Sequence, residues 1–326
     1  MTAPFKTPGA SILVTGGTGF IGSALVRALV RAGGRVRTLD DDSRGQRSRL
    51  ADLAGRFEAV AGDIRDPATV ARAVRGMDAV LHLAYVNGTE FFYTKPDLVL
   101  EVAVKGMMNV LDACTAAGVR QLFLASSSEV YQRAPRIPTD ETAPLVVPDV
   151  LNPRYSYGGG KIISELLAIN YGRARLERVV IFRPHNVYGP DMGREHVIPQ
   201  FALRMKQAGP GPAGPVDFPI QGDGTETRAF IFIDDFVDGA LRVIERGAHL
   251  GIYHLGTQEE VAIADVARQV AACFGREIRL VPGKLQPGGT PRRCPDITKL
   301  RALGFAPKTP LRDGIAATVA WYRNHD

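Results

Sequence analysis

The segment Ser11-Ile-Leu-Val-Thr-Gly-Gly-Thr-Gly-Phe-Ile-Gly22 decides the fold of this 326-residue chain. Its apolar run at 12–14 is typical of a buried strand, and residues 23–30 continue with helical periodicity. The glycines between them let backbone approach a ligand, and the helix N-terminus presents free N–H groups to it. A strand, a glycine turn and a helix in this order predict a cradle for the pyrophosphate of a dinucleotide. The residues expected to line it are Gly16, Gly19, Phe20, Ile21 and Gly22.

An acidic residue follows at the spacing that the ribose of a dinucleotide requires. Residues 35–40 predict a second strand that ends in Asp40, about twenty residues beyond the glycines. A carboxylate there accepts hydrogen bonds from the adenosine ribose hydroxyls and repels a 2′-phosphate. The sequence therefore predicts NAD rather than NADP, although the nearby Arg44 leaves NADP open. The alternative is a solvated turn at 40–42.

The composition is that of an ordinary globular protein, with 45% hydrophobic and 23% charged residues. The length allows a large core in one or two domains. Three scattered cysteines lack metal or redox spacing, so we expect no metal and a reducing, cytoplasmic location. No apolar run is long enough to span a bilayer, and residues 1–8 lack the core of a signal peptide. The net charge of +6 is spread out, which fits an anionic small ligand better than nucleic acid.

Strand and helix patterns alternate through the first half of the chain. The predicted strands are 57–61, 79–83, 121–126 and 179–183, and the predicted helices are 66–75, 97–117 and 155–173. This alternation predicts an α/β fold with a doubly wound parallel sheet. From residue 186 the pattern changes to a mixed α/β texture. The segments predicted there are a loop at 209–215, a strand at 230–233 and a helix at 235–246.

Tyr157 and Lys161 form a second candidate site, because residues four apart share one face of the predicted helix 155–173. A free tyrosine titrates near pH 10, roughly, and is a poor base at neutral pH. A nearby ammonium and a cationic nicotinamide ring would stabilise the phenolate and let it act as a base toward a hydroxyl. The three glycines between them are costly in a helix, so we expect something to approach this helix closely. The alternative is a chance pairing on an ordinary helix.

The run Ser126-Ser-Ser-Glu129 ends the predicted strand 121–126, at the edge where ligands bind to an open parallel sheet. The hydroxyls of Ser127 and Ser128 are suited to bind a reacting hydroxyl, and Glu129 is suited to transfer a proton. The alternative is that the serines only turn the chain after the strand.

Six segments follow one another in a recognisable order: Thr15-Gly-Gly-Thr-Gly-Phe-Ile-Gly22, Gly62-Asp-Ile-Arg-Asp66, His82-Leu-Ala84, Ser126-Ser-Ser-Glu-Val-Tyr131, Tyr157-x-x-x-Lys161 and Arg183-Pro-His-Asn-Val-Tyr-Gly-Pro190. As a set, over nearly the whole chain, they resemble the extended short-chain dehydrogenases/reductases, and most closely the nucleotide-sugar epimerases, decarboxylases and dehydratases. The resemblance implies NAD as cofactor and a nucleotide-diphosphate sugar as substrate. It also implies a NAD-binding Rossmann domain of residues 1–185 plus 229–250, and a smaller nucleotide-sugar-binding domain of residues 186–228 plus 251–326.

The resemblance assigns roles to further residues. Those expected at the cofactor are Asp63 and Ile64 beside the adenine, and Leu83 and Ala84 beside the nicotinamide. Those expected at the substrate diphosphate are Asn186, Arg228, Arg292 and Arg293. A guanidinium suits phosphate because it donates two parallel hydrogen bonds, although a surface ion pair is the alternative role for such arginines. Segments 85–95 and 196–199 are expected at the sugar or the base.

The resemblance also predicts a homodimer, because relatives pair two helices into a four-helix interface. The predicted helices 97–117 and 155–173 have apolar faces suited to a two-fold contact. The residues concerned are Val102, Met107, Met108, Leu111, Ile163, Leu166, Leu167 and Ile169. Two positions depart from the family pattern: Ala103 stands where many relatives have asparagine, and Gln132 stands where glycine is common.

Each candidate reaction begins when Tyr157 removes a proton from the C4 hydroxyl and a hydride passes to NAD. Ring turnover and return of the hydride give the C4 epimer; a C6 carboxylate allows loss of carbon dioxide; an acid–base pair at C5 and C6 eliminates water. Ser128, Glu129 and Arg293 resemble positions of UDP-glucuronate decarboxylases, whereas an aspartate typical of dTDP-glucose dehydratases is missing. The resemblance ranks a NAD-dependent epimerase first, a decarboxylase second and a 4,6-dehydratase third. A non-catalytic NAD(P)-sensing regulator is disfavoured because Tyr157 and Lys161 are both present.

Overall fold

The computed structural model describes residues 4–209, 214–284 and 288–325. The strands are β1 (Ser11–Thr15), β2 (Arg35–Asp40), β3 (Glu58–Ala61), β4 (Ala79–His82), β5 (Gln121–Ala125), β6 (Arg178–Pro184), β7 (Val187–Tyr188), β8 (Val216–Gln221), β9 (Thr227–Ala229), β10 (Ile231–Phe232), β11 (Gly251–Leu255), β12 (Glu260–Ala262), β13 (Ile278–Gly283) and β14 (Arg292–Arg293).

The largest sheet has seven strands in the order β11-β6-β5-β4-β1-β2-β3. Every pairing in it is parallel. The chain moves outward from β1 through β2 to β3 and then returns to place β4 on the other side of β1. This reversal opens a crevice at the carboxyl ends of β1 and β4, which is where ligands bind in open α/β sheets. The predicted doubly wound Rossmann fold is confirmed.

The helices are α1 (Phe20–Arg31), α2 (Pro67–Val74), α3 (Thr89–Thr94), α4 (Pro96–Glu101), α5 (Met107–Ala117), α6 (Ser156–Arg175), α7 (Val197–Ala208), α8 (Ile233–Arg246), α9 (Ile263–Cys273), α10 (Thr298–Ala302) and α11 (Leu311–Asn324). Asp66 caps α2 by accepting the N–H groups of Ala68 and Thr69, and Pro67 occupies its first turn.

The helix predicted at 97–117 is interrupted by a π-helical segment, Val102–Gly106, between α4 and α5. A Cβ at Gly106 would overlap the side chain of Ile64, so the helix runs unusually close to the loop after β3. The side-chain amide of Asn109 donates to the carbonyl oxygen of Ile64 at 2.9 Å. The π-helical turn therefore lies beside a loop that carries predicted cofactor residues.

The second unit is built from short sheets. β10 pairs with β7, β9 pairs with β12 and β14, and β8 pairs with β13. The predicted boundary at residue 251 is wrong, because β11 is the edge strand of the seven-stranded sheet. Of the predicted loop 209–215, residues 210–213 lie outside the described part of the chain.

Apolar residues pack on both faces of the large sheet. Val14 and Phe182 belong to one cluster, with α1 and α8, whereas Leu13 and Ile181 belong to the other, with α5. The alternation of neighbours between clusters follows from the period of two in a strand. A separate cluster, which includes Phe201, Val270 and Ile315, fills the second unit.

Within the described ranges, no helix has both the length and the apolar character needed to cross a membrane.

Candidate active site

A cavity of about 410 Å³ lies along the carboxyl edge of the large sheet. The predicted site residues that line it are Gly16, Gly19, Phe20, Ile21, Gly22, Asp40, Asp63, Ile64, Leu83, Ala84, Ser127, Ser128, Glu129, Tyr157, Lys161, Asn186 and Arg293. The glycine turn and Asp40 mark the half of the cavity beside β1 and β2. Ser127 follows β5 and marks the other half. The fold thus brings the two sets of predicted residues into one continuous space.

The presence of glycine at each of the three positions of the turn has a different physical explanation. Gly16 has a φ of +71°, and a Cβ there would lie 2.8 Å from the backbone of Ala84. A Cβ at Gly22 would overlap the carbonyl oxygen of Gly16, so it allows α1 to pack on the turn. Gly19 has an ordinary φ of −66°, and a Cβ there would approach only the Gly16 oxygen, at 3.3 Å. This single tight contact is much milder than the overlaps at Gly16 and Gly22, so the glycine at 19 chiefly keeps space open on the cavity side. No side chain caps α1, so its first N–H groups are available to a pyrophosphate, and the turn fits NAD.

Asp40 is held at the end of β2 by backbone N–H groups. Its two carboxylate oxygens accept from Thr18 at 2.9 Å and from Asp42 at 3.0 Å. A carboxylate oxygen can accept more than one hydrogen bond, so both oxygens of Asp40 remain able to accept from ribose hydroxyls. Asp63 lies on the next loop, and its carboxylate accepts from the Arg65 guanidinium at 2.6 and 2.8 Å. Burial opposes ionisation of Asp63, but the hydrogen bonds from Arg65 lower its pKa below the usual value.

Two ion pairs, which we call the cavity strap, connect the segment after β2 to the loop after β7. Nε and Nη2 of Arg49 lie 2.8 and 3.0 Å from the carboxylate oxygens of Asp191, and the arginine side chain is only 10% exposed. Arg44 pairs with Glu195 and lies 4.8 Å from the ring centroid of Phe91. Arg44, Arg49 and Glu195 line the cavity. The strap therefore joins the two units across the adenosine side of the predicted cofactor site.

Asp191→Asn is expected to make NAD dissociate about tenfold faster, because Arg49 loses the charge-assisted part of its hydrogen bonds to the second unit. Stopped-flow displacement of bound NAD measures the rate. The control is Asp217→Asn, which weakens a similar two-bond pair with Arg279 on the exposed surface. Equal dissociation rates in the wild type and both variants would show that the strap does not retain the cofactor.

The other half of the cavity contains Tyr157, Ser127 and Lys161, which lie together at the carboxyl end of β5. The side chain of Ser127 lies close enough to the Tyr157 hydroxyl to lower the pKa of the phenol. Ser127 also accepts the N–H of Glu129 at 3.1 Å, so it turns the chain after β5 as well. Nζ of Lys161 donates to the carbonyl oxygen of Ala125 at 2.7 Å. Since α6 and the end of β5 fix these groups, their arrangement is suited to removing a proton from a substrate hydroxyl.

Burial shifts both titrating groups toward their neutral forms. It raises the pKa of Tyr157 to about 12, although the nearby Ser127 side chain lowers it. It lowers the pKa of Lys161 to about 7, against the charge of Glu165. The sequence predicts Lys161 as the group that stabilises the phenolate, whereas in the cofactor-free chain the Ser127 contact lowers the phenol pKa. The positive nicotinamide ring of bound NAD would favour the phenolate further.

Glu129 is surrounded by arginines. Its Oε1 accepts from Nη1 of Arg293 at 2.7 Å, and its Oε2 lies 3.8 Å from Nη2 of Arg154. Burial alone would raise the pKa of Glu129, but the charges of Arg293 and Arg154, the Arg293 hydrogen bond and the charge of Arg228 together lower it to about 2. Glu129 is therefore a carboxylate at neutral pH, and it is not a proton donor in this arrangement.

Gln132, which departs from the family pattern, is buried against the same carboxylate. Its Nε2 donates to Oε2 of Glu129 at 3.2 Å and to the Glu129 carbonyl oxygen at 2.6 Å. A Cβ at Gly158 would lie 2.8 Å from this Nε2 and from the Glu129 carbonyl oxygen. The close approach predicted from the glycines of this helix is therefore confirmed, and Gly158 accommodates Gln132.

The structure does not bring two of the predicted substrate residues to the cavity wall. Arg292 points outward and binds both carboxylate oxygens of Glu260 at 2.8 and 2.9 Å, with 58% of its side chain exposed. Neighbouring side chains on a strand face opposite sides, so Arg293 can face the cavity only if Arg292 does not. Arg228 lies beside the Glu129 cluster, where its Nη1 donates to the carbonyl oxygen of Thr227 at 2.7 Å. Burial lowers the pKa of Arg228 to about 10, and Arg293 adds to this effect.

Sequence reasoning missed three side chains of the site. Arg154 lies three residues before Tyr157, a spacing that could have suggested proximity. Tyr85 and Phe92 belong to the segment expected at the sugar or the base, but both contact Tyr157: Phe92 stacks on its ring at 4.7 Å, and Tyr85 meets it edge-on at 5.1 Å. Nothing in the local pattern of 85–95 indicates these contacts.

Comparison with known proteins places this geometry in a known group. Residues 12–256 match the model of the NAD dependent epimerase/dehydratase family. The chain is 33% identical to a dTDP-4-dehydro-6-deoxy-D-allose reductase from Streptomyces bikiniensis, covering 100% of this chain and 99% of that protein. It is 30% identical to a UDP-N-acetyl-α-D-glucosaminuronate decarboxylase from Bacillus cytotoxicus, covering 95% and 97%.

A solved structure supports the same assignment. The UDP-glucose 4-epimerase of Thermotoga maritima, determined with UDP-glucose, superposes with a TM-score of 0.85 and 25% identity, covering 96% of this chain and 99% of that one. The relatives thus share a fold and a substrate class while they catalyse different reactions. This chain therefore belongs to the NAD dependent epimerase/dehydratase family.

Proposed function

We propose that this chain is a nucleotide-sugar 4-epimerase that uses tightly held NAD. The observation that carries the proposal is the shared cavity, in which Tyr157, Ser127 and Lys161 face the same space as the glycine turn. Substrates of the relatives support a nucleotide-diphosphate sugar. The cavity strap supports a cofactor that stays bound. An epimerase needs this because its cofactor accepts a hydride from the sugar and then returns the same hydride.

The proposed residues act on the C4 hydroxyl of the sugar. NAD, when bound, supplies the acceptor and donor of the C4 hydride. Ser127 binds the C4 oxygen, and Tyr157 takes its proton during oxidation and returns it during reduction. Lys161 orients the cofactor ribose and adds positive charge near the phenol. Asn186, which lines the cavity, holds the diphosphate, so the sugar ring is free to turn over between the two half-reactions.

The ionised state of Glu129 favours epimerisation over elimination of water. Dehydration requires an acid that protonates the leaving hydroxyl at C6, and Glu129 has no proton to give at neutral pH. Epimerisation needs no acid–base group beyond Tyr157. Decarboxylation is the second candidate, because Arg293 lines the cavity and its guanidinium suits a C6 carboxylate.

Incubation with UDP-glucose, dTDP-glucose and UDP-glucuronate, followed by NMR and mass spectrometry, tests the proposal. The expected product has the mass of its substrate and inverted configuration at C4. Loss of carbon dioxide from UDP-glucuronate would establish the decarboxylase reading. Stoichiometric consumption of added NADH with a 4-keto sugar would instead establish a reductase, the activity of the Streptomyces bikiniensis relative.

Glu129→Gln is expected to keep epimerase turnover within about tenfold of the wild type, because the carboxylate transfers no proton in this reaction. The amide preserves the shape that Arg293 and Gln132 contact. Steady-state turnover on the substrate identified above is the measurement, and the unfolding temperature reports any loss of the ion pair. A fall of several hundredfold without a change in unfolding temperature would assign proton transfer to Glu129 and favour a lyase.

We also propose a homodimer, although its apolar surface differs from the predicted one. Val102, Met107 and Leu111 are buried in the core of their own chain and are not available to a partner. Ile163 and Leu166 on α6, at 39% and 55% exposed, are the accessible part of the predicted face. The cytoplasmic location stays a prediction.

Leu166→Glu is expected to give a monomer by light scattering at micromolar concentration, because it places a charge in the proposed two-fold contact. The matched control is Leu151→Glu, since Leu151 is an 88% exposed leucine on the loop before α6. A dimer that persists in the Leu166 variant, or a monomeric wild type, would refute this assignment.

A further inference from the structure

Tyr85, which follows β4, contacts both Tyr157 and Lys161. Its ring meets the Tyr157 ring edge-on, with centroids 5.1 Å apart. Nζ of Lys161 lies 3.7 Å from the centroid of the Tyr85 ring, which is much closer than its 5.9 Å from the Tyr157 ring. Tyr85 lines the cavity, so all three side chains belong to one site.

Gly160 provides the room for the Tyr85 hydroxyl. A Cβ at Gly160 would overlap this hydroxyl and would lie 2.8 Å from Cβ of Ala103. By contrast, a Cβ at the neighbouring Gly159 would meet Val147 at 3.6 Å, an ordinary contact. The glycine at 160 and the small residue at 103 therefore form the slot that Tyr85 fills.

We propose that Tyr85 is a positioning residue for Lys161 and Tyr157, with its ring face holding the Lys161 ammonium and its ring packed nearly perpendicular to the Tyr157 ring. The negative face of an aromatic ring attracts a cation, most strongly where water is excluded. Nζ then has the Ala125 carbonyl oxygen and the Tyr85 ring as fixed partners, and it keeps a further N–H for a ligand. The inference rests on the proposed function, which assigns catalysis to Tyr157 and Lys161.

Within the part of the chain that the structure describes, Glu165 and His82 are two further titratable groups coupled to the charge of Lys161. Glu165 lies one turn further along α6, where the Arg183 guanidinium binds it at 2.6 and 2.8 Å. His82 lies at the end of β4, and burial together with the Lys161 charge lowers its pKa to about 3, so it is neutral. Tyr85 thus stabilises the ammonium without a formal charge, and its ring can be exchanged while Glu165 and His82 stay in place.

Tyr85→Leu and Tyr85→Phe separate the ring from the hydroxyl. An NMR titration of lysine Nζ in the cofactor-free protein reports the ionisation of Lys161 directly. Loss of the ring removes an attraction for the charged form, so the Leu variant is expected to titrate about one pH unit lower. The Phe variant keeps the ring and is expected to titrate like the wild type. A Leu variant whose Lys161 titration is unchanged would overturn the proposal.

Gly160→Ala tests the same arrangement without altering Tyr85. It also tests the proposal if the Tyr85→Leu variant does not fold. The added methyl displaces the Tyr85 ring, so turnover is expected to fall by about tenfold or more and the Lys161 titration to shift downward. Gly159→Ala is the matched control and should leave both unchanged. Equal turnover and an equal Lys161 titration in the two alanine variants would contradict the proposal that Gly160 makes room for Tyr85. Because the titration needs no substrate, its outcome is independent of whether Tyr157 proves to be the catalytic base.

Discussion

Tyr157→Phe is expected to lower turnover by about a hundredfold or more, while NAD still binds. The substitution removes only the oxygen that exchanges a proton with the substrate. The ring remains, so its stacking on Phe92 and its contact with Tyr85 persist. Single-turnover kinetics with saturating substrate measure the loss, and fluorescence titration measures NAD binding.

The control for this variant is Tyr155→Phe. Tyr155 is also a buried tyrosine, two positions earlier in the chain, but it does not line the cavity. Its phenylalanine variant is expected to keep turnover within about a few-fold of the wild type, because the lost hydroxyl lies outside the cavity. If Tyr157→Phe behaved like Tyr155→Phe, another group would have to transfer the proton and the proposed mechanism would be wrong.

Gly19→Val is expected to weaken NAD binding by about a hundredfold or more, because the branched side chain fills the space where the pyrophosphate approaches the backbone. The φ at this position suits any residue, and an added Cβ would meet only the Gly16 oxygen, at 3.3 Å, so we expect a folded valine variant. Isothermal titration calorimetry with NAD provides the affinity.

The unfolding temperature of the cofactor-free protein is the control for Gly19→Val and should fall only slightly, because the one tight contact is with the Gly16 oxygen at 3.3 Å. Gly22→Ala provides the contrast, since its Cβ would overlap the Gly16 oxygen and should lower that temperature. Undiminished NAD affinity in a folded Gly19→Val protein would mean that the cofactor does not lie on this turn.

Much of the fold follows from the sequence because its signals are local. The apolar run before Gly16, the turn and the helix after it, and the repeated alternation of strands and helices each depend on neighbouring residues. The parallel sheet then brings the ends of β1, β4 and β5 together, so the sequence alone predicts that the Ser126-Ser-Ser-Glu129 run and Tyr157 lie near the glycines.

The parts that could not be predicted depend on residues far apart or on the direction of a side chain. Arg49 and Asp191 are separated by 142 residues, and nothing local pairs them. The pair Arg292-Arg293 does not reveal which guanidinium faces inward until β14 is placed beside β9. The apolar residues of the helix predicted at 97–117 look available for a partner, yet Met107 and Leu111 fill the core under the sheet.

Conversion of a nucleotide sugar deuterated at C4 tests the proposed epimerisation most directly. If the deuterium leaves C4 and returns within one active site, the product has inverted configuration at C4 and keeps the label in full. NMR of the product reads both properties in one spectrum. The expected result is inversion at C4 with the deuterium label retained. Loss of the label to solvent, or a product that has lost carbon dioxide or water, would contradict it.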